Sequence, residues 1–252
     1  MTIDFWLFPA LTATAVLAGF IDAIAGGGGL IMVPALLAAG VPPLNTLGTN
    51  KLQSMFGTSI ATANFARAGL IEWRANLGLV AAVFAGATIG VLLVQRVSGD
   101  ALKIVIPALL IANAAYILLS PRMSDEDAHE RLSRPAYAPM ASAIGFYDGF
   151  FGPGTGSFFA TSLVGLRGLG LTRATALTKL LNLTSNVASV TFFALGGKIW
   201  WALGLCMAVG AMTGGWLGSH SAMRFGARLI RPLLVVLSLA LTTRIVWSYF
   251  AS

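Results

Sequence analysis

Asp22 and Asp148 each lie in an apolar stretch, and each is followed within a few residues by a run of glycine. The first run reads Gly19-Phe20-Ile21-Asp22-Ala23-Ile24-Ala25-Gly26-Gly27-Gly28-Gly29. The second reads Gly145-Phe146-Tyr147-Asp148-Gly149-Phe150-Phe151-Gly152-Pro153-Gly154-Thr155-Gly156. Downstream of each run a lysine opens a polar stripe. Lys179, Asn182 and Asn186 fall at i, i+3 and i+7, one face of a helix, and Lys51, Ser54 and Thr58 repeat that spacing, with Asn50 and Gln53 beside them. Charged and amide side chains in an apolar helix must face a cavity, a ligand or one another, because lipid cannot satisfy them. An acid, an ammonium, amides and the free N–H groups of a broken helix are the equipment to hold a small anion and to move a proton.

The elements that carry these residues follow from the glycines. Glycine loses the most backbone entropy on entering a helix, and proline lacks the N–H donor, so both runs break the helix that holds the aspartate. In a bilayer such a break is tolerated only where the freed backbone groups line a protein-buried or water-filled cavity. Gly27 and Gly28 are therefore expected to be non-helical and, with Gly154, to offer N–H groups to the anion. Gly86/Gly90 and Gly214/Gly218, at GxxxG spacing, are read instead as helix-packing devices.

Composition fixes the surroundings. Of 252 residues 57% are hydrophobic and 10% charged, against about 45–50% and about 25% in soluble domains, and the mean hydropathy is +0.83. So few charges cannot clothe a soluble protein of this size, and the long apolar stretches do not alternate in polarity as barrel strands do. The chain reads as an all-α, polytopic membrane protein whose partner is the lipid bilayer. The net charge of +7 is scattered at the ends of apolar segments, where it meets headgroups, and no aromatic-and-basic patch points to nucleic acid. One cysteine, Cys206, and two separated histidines, His129 and His220, leave no metal cluster and no cofactor motif. The first 20 residues lack a basic n-region and are read as a retained segment.

Apolar stretches are expected at about 5–24, 29–39, 50–66, 76–95 and 102–119, then at 136–151, 157–166, 176–195, 201–220 and 229–250. Residues 120–135 are a hydrophilic linker between repeats at 1–119 and 136–252. The halves are copies. Gly19, Phe20, Asp22, Gly26 and Gly28 match Gly145, Phe146, Asp148, Gly152 and Gly154 at an offset of 126. After a two-residue insertion Lys51, Gly69, Trp73, Gly86, Gly90 and Arg96 match Lys179, Gly197, Trp201, Gly214, Gly218 and Arg224 at 128. Internal repeats of this kind are the common build of secondary transporters.

Charge then orients the copies. If each glycine break folds into a hairpin, each half has five segments, and the basic residues other than Lys51 and Lys179 divide 10 to 4 across the membrane. If each broken pair is one crossing, they divide 7 to 7. The positive-inside rule favours the first arrangement, with inverted repeats of about five helical segments, glycine-broken helices near the midplane, a cytoplasmic linker and both termini extracytoplasmic.

These motifs resemble the sulfite exporter TauE/SafE family of membrane permeases. The resemblance spans nearly the whole chain and rests on Gly19–Asp22 with Ala25–Gly29, Thr49-Asn50-Lys51-Leu52-Gln53, Gly145–Gly154 and Lys179-Leu180-Leu181-Asn182. It implies a multi-pass inner-membrane transporter of small anions, often sulfur-containing or organic. Thr155 and Gly156 replace part of the glycine run in the second half, so the two halves of the site need not be equivalent. The expected binding residues are Lys51, Lys179, Asn50, Gln53, Ser54, Asn182, Asn186, Gly27, Gly28 and Gly154. Asp22 and Asp148 are the candidates for proton coupling. Two other readings stand beside this one: an assembly subunit or scaffold without transport, whose lysines would be silent to substitution, and a membrane-embedded enzyme.

Overall fold

A computed structural model describes residues 5–119 and 125–226. The expected last apolar stretch, 229–250, lies outside the described residues. All regular structure within them is helical: α1 (Leu7–Ala25), α2 (Gly28–Ala38), α3 (Pro43–Arg67), a 3-10 turn (Arg74–Asn76), α4 (Leu77–Val94) and α5 (Gly99–Leu119), then α6 (Arg134–Phe150), α7 (Thr155–Arg167), α8 (Leu171–Leu195) and α9 (Trp201–Phe225). Three stretches among the described residues, Leu7–Ala25, Arg74–Val94 and Trp201–Phe225, are long and apolar enough to cross a membrane. At 25 residues α3 and α8 are as long as α9, but much of their polar content is turned inward.

The glycine runs end helices as their chemistry requires. Gly26 adopts φ 73°, and its N–H caps α1 on the carbonyl of Asp22 at 2.8 Å. That left-handed conformation costs an L-residue about 1–2 kcal/mol and glycine almost nothing. The chain then folds back, so that a Cβ built on Gly28 would lie 2.7 Å from Ala18 O and from the Asp22 side chain. In the second half Gly152 and Gly154 take φ 95° and 81° around Pro153 before α7 begins. The 11 residues of α2 and 13 of α7 rise about 16 and 20 Å, short of the about 30 Å hydrocarbon layer. The two breaks touch. A Cβ on Gly26 would overlap Gly156, and Ser157 Oγ donates to Ala25 O at 3.1 Å.

Helix packing exchanges the halves. α1 lies against α9 and α6 against α4, α3 against α9 and α8 against α4, while α3 and α8 cross each other. Glycine permits the closest of these approaches. A Cβ on Gly86 or Gly90 would overlap the Ser142 or Phe146 carbonyl, and one on Gly214 or Gly218 that of Val16 or Phe20. Apolar clusters around Phe65, Leu79, Tyr137 and Phe159, and around Leu47, Leu52, Val91 and Phe193, hold this crossing.

Two starts differ from the sequence expectation. α3 begins at Pro43 and α8 at Leu171, before the expected 50 and 176. Polar residues masked the helical signal there, and they point inward: Thr46 Oγ1 bonds Val41 O at 3.0 Å, and Thr49 Oγ1 accepts the Trp200 N–H at 3.0 Å. The start of α8 is capped from the linker, where Asp127 accepts the Gly170 N–H and Asp125 that of Thr172, both at 2.7 Å.

Candidate functional site

Four charged side chains meet where the breaks touch, and each lysine pairs with the aspartate of the other half. Lys51 Nζ on α3 donates to Asp148 Oδ1 on α6 at 2.6 Å, with side chains 3% and 5% exposed. It also donates to Asn186 Oδ1 at 3.2 Å. Lys179 Nζ on α8 donates to Asp22 Oδ2 on α1 at 3.2 Å, and more closely to the Asp22 backbone carbonyl. Lys179 is fully buried, yet Asp22 retains 22% side-chain exposure. The pairs are electrically balanced, which makes their burial tolerable.

The remaining polar groups tie the pairs together. Asn186 Nδ2 donates to Thr58 Oγ1 at 3.3 Å, joining the α8 stripe to that of α3. Ser185 Oγ donates a short bond to Asp148 Oδ2. The Gly28 N–H, at the start of α2, donates to Asp22 Oδ1 at 3.3 Å. A cavity of about 20 Å3 lies between these groups, lined by Asp22, Asp148, Lys51, Asn50, Ser54, Thr58, Asn182, Asn186 and the glycines 26, 29, 152, 154 and 156. It has room for a water and little more. Asn182 is 5% exposed at this cavity, and its Oδ1 has no hydrogen-bond partner.

Of the residues singled out in the sequence, Lys51, Asn50, Ser54, Asn182, Asn186, Gly154, Asp22 and Asp148 line this cavity, and Lys179 reaches it through its bonds to Asp22. Gln53 bonds Asn50 Oδ1 at 3.0 Å and Ser54 Oγ at 2.9 Å and faces a smaller adjoining recess with Gly28. Gly27 is the residue before α2 with φ −110°, and it lines neither space. Gly28 is not the non-helical donor expected: it is the first residue of α2, and its N–H is engaged by Asp22. The left-handed residue of the first break is Gly26.

Two participants escaped the sequence reading. Ser185 sits between Asn182 and Asn186 and looks like stripe filler. Asn113 on α5 donates a short bond to Pro153 O and reaches Tyr147 Oη at 3.2 Å, pinning the second break. Its signal was available: it is the one amide in the apolar stretch 102–119.

Comparison with known proteins gives the same outline. The family model described as "Sulfite exporter TauE/SafE" matches residues 11–245. A Sinorhizobium protein named probable membrane transporter protein ORF9 is 48% identical over 242 residues, covering 96% of this chain and 93% of that one. The Escherichia coli K12 probable membrane transporter protein YfcA is 44% identical over 242 residues, covering 96% and 90%. A probable membrane transporter protein of Haemophilus influenzae is 43% identical over 248 residues, covering 98% and 97%. No solved structure matches the chain. With a family model spanning all but its ends and relatives matched along almost their whole length, this all-helical membrane protein belongs to the sulfite exporter TauE/SafE family.

Proposed function

We propose that the chain is a secondary transporter of a small, sulfur-containing or organic anion, working by alternating access at the cavity between the two glycine breaks. One observation carries the reading: each half lends its lysine to the other half's aspartate, and both aspartates border the same cavity. A site shared in this way lies between the repeats, where alternating access has its carried ion. The names of the relatives, each a probable membrane transporter, support the class. The cavity is too small for a sulfite-sized anion beside both carboxylates, so an entering anion has to displace a carboxylate from its lysine. A substrate anion takes over ammonium groups that Asp22 or Asp148 occupies in its absence.

The inverted build is favoured by two features. α2 turns back on α1, and with each half read as five segments the basic residues divide 10 to 4. In this reading 1–119 and 136–252 are the repeats, 120–135 is cytoplasmic, both termini are extracytoplasmic, and the protein resides in the inner membrane. The test is uptake of labelled sulfite, with a short sulfonate and a carboxylate in parallel, by proteoliposomes holding the purified full-length chain. Saturable uptake supports the reading. Proteoliposomes no leakier than empty vesicles for all three anions would contradict it and return the scaffold reading.

A further inference from the structure

We propose that the two aspartates have divided roles: Asp22 takes up and releases a proton with each transported monoanion, and Asp148 stays ionised as the fixed partner of Lys51. This rests on the transport reading above. The two acids match in the repeats but not in their surroundings. Both oxygens of Asp148 are held by charged or hydroxyl donors, Oδ1 by Lys51 at 2.6 Å and Oδ2 by Ser185, and the carboxylate is 5% exposed. Asp22 has longer contacts, 3.2 Å to Lys179 and 3.3 Å to the Gly28 N–H, and is 22% exposed. Lys179 does not depend on that carboxylate, because its closer bond is to the Asp22 backbone carbonyl.

The cause is one substitution between the repeats. The position that matches Ser185 at the offset of 128 is Gly57. Where the second half places a hydroxyl on its acid, the first half has no side chain. A recess of about 10 Å3 opens there instead, lined by Asp22, Gly57, Gln53, Ser54 and Thr58 among others. That volume reaches the lower end of what one water requires, and its lining supplies the polar partners. Water in the recess gives Asp22 a proton donor and acceptor of its own, besides the cavity that it shares with Asp148.

The charged groups around Asp22 are few. α8 brings Lys179, and Lys51 of α3 and Asp148 of α6 border the shared cavity. α2 carries no charged residue, and the Arg167 of α7 is held by Glu130 at the other end of that helix. α9 turns Ala211 toward the recess, while its His220 is engaged with Asn64 and the Trp216 carbonyl and its Arg224 lies over Phe225. Arg67 ends α3, and Arg173 on the first turn of α8 pairs with Asp127. With all four central groups charged, the site is neutral. A proton passing from water onto Asp22 Oδ2 breaks the bond from Lys179 Nζ, leaves the Gly28 N–H on Oδ1, and brings the site to +1. Lys179 Nζ, released from the carboxylate, is then open to an entering monoanion, which restores neutrality. Release reverses the step, returning the proton to water and the carboxylate to its donors.

The test uses the purified full-length protein and needs no substrate. Dicyclohexylcarbodiimide modifies protonated carboxyl groups in apolar surroundings, and peptide mass spectrometry reads the site. Asp22 should be modified, with Asp148 unmodified. Gly57→Ser should abolish labelling at Asp22, whereas Gly57→Ala, whose methyl group fills the recess but donates nothing, should lower it without abolishing it. Both place the same Cβ 3.0 Å from Ala211 O, so the difference isolates the hydroxyl. Ser185→Ala should make Asp148 reactive. In proteoliposomes given sulfite, Asp22→Asn should lose proton movement, read by entrapped pyranine, while sulfite–sulfite exchange persists; Asp148→Asn should lose both. Equal labelling of the two acids, labelling of Asp148 alone, or equal behaviour of the two Gly57 variants would overturn the proposal. A wild type that carries no anion but labels at Asp22 alone would sink the transport reading and leave the inequality of the acids standing.

Discussion

Removing the ammonium of Lys51 leaves the Asp148 carboxylate buried opposite nothing. Breaking a buried pair by deleting one partner costs about 3–5 kcal/mol, whereas replacing both partners by apolar groups is commonly neutral. Lys51→Met should therefore lower thermal stability in detergent and abolish uptake, and Lys51→Met/Asp148→Leu should recover stability without recovering uptake. Lysines that served only as a structural clamp would let the double variant transport normally, and that outcome would place the anion site elsewhere. Lys51→Arg should restore function in part, since a planar guanidinium fits a different set of acceptors. The four charged residues were legible because each is costly in an apolar helix and each recurs. Their partner choice was not. A lysine and an aspartate of the same half are as compatible in sequence as the crossed pairs at 2.6 and 3.2 Å, and only the crossing of α3 and α8 decides between them. Ser185 was hidden because a serine in a stripe of amides carries no signal until its acid is seen beside it.

At the scale of elements, the glycine breaks position everything else, and their residues can be separated by substitution. Gly26 and Gly40 both take positive φ, 73° and 81°, so alanine at either should cost about 1–2 kcal/mol in backbone strain. Gly40 has open space around it, whereas a Cβ on Gly26 overlaps Gly156 across the meeting of the hairpins. Gly40→Ala should then lose only that strain and keep uptake, and Gly26→Ala should lose uptake with a larger drop in melting temperature. Equal effects would mean that contact between the breaks is unimportant. Gly28→Ala should also cost stability, through overlap with Ala18 O and the Asp22 side chain and not through φ. The sequence announced where the helices break but not which glycine makes the turn, because four in a row are alike until the hairpin closes. The starts of α3 and α8 were obscured for a related reason: Thr46, Thr49 and Thr175 read as loop residues and are buried.

At the scale of the whole molecule, one face is closed by charge. The linker pairs Asp127 with Arg173 at 2.5 Å and Glu130 with Arg167, while Arg134 reaches Glu72 at 2.5 Å on the α3–α4 connection. The Gly170 N–H, with Arg173, holds Asp127 below its usual 3.8. A depressed carboxyl contributes stability that is complete above about 3.8 and is lost as pH falls through its lower folded value. Protease sensitivity of the linker should therefore rise only below about pH 4, and Asp127→Asn should be sensitive at neutral pH. Orientation has its own check in a chain whose Cys206 is replaced. His129→Cys should react with an impermeant maleimide only from the cytoplasm and Phe5→Cys only from outside; reaction of both from one face would contradict the five-segment halves.

The central claim is that the two crossed lysine–aspartate pairs form the seat of a carried anion. The measurement that tests it most directly is equilibrium binding and uptake of labelled sulfite by the wild type and by Lys51→Met/Asp148→Leu, both reconstituted to equal density and shown to be folded. The account predicts saturable binding and uptake in the wild type and loss of both in the variant. Unchanged binding and uptake in the folded variant would contradict it.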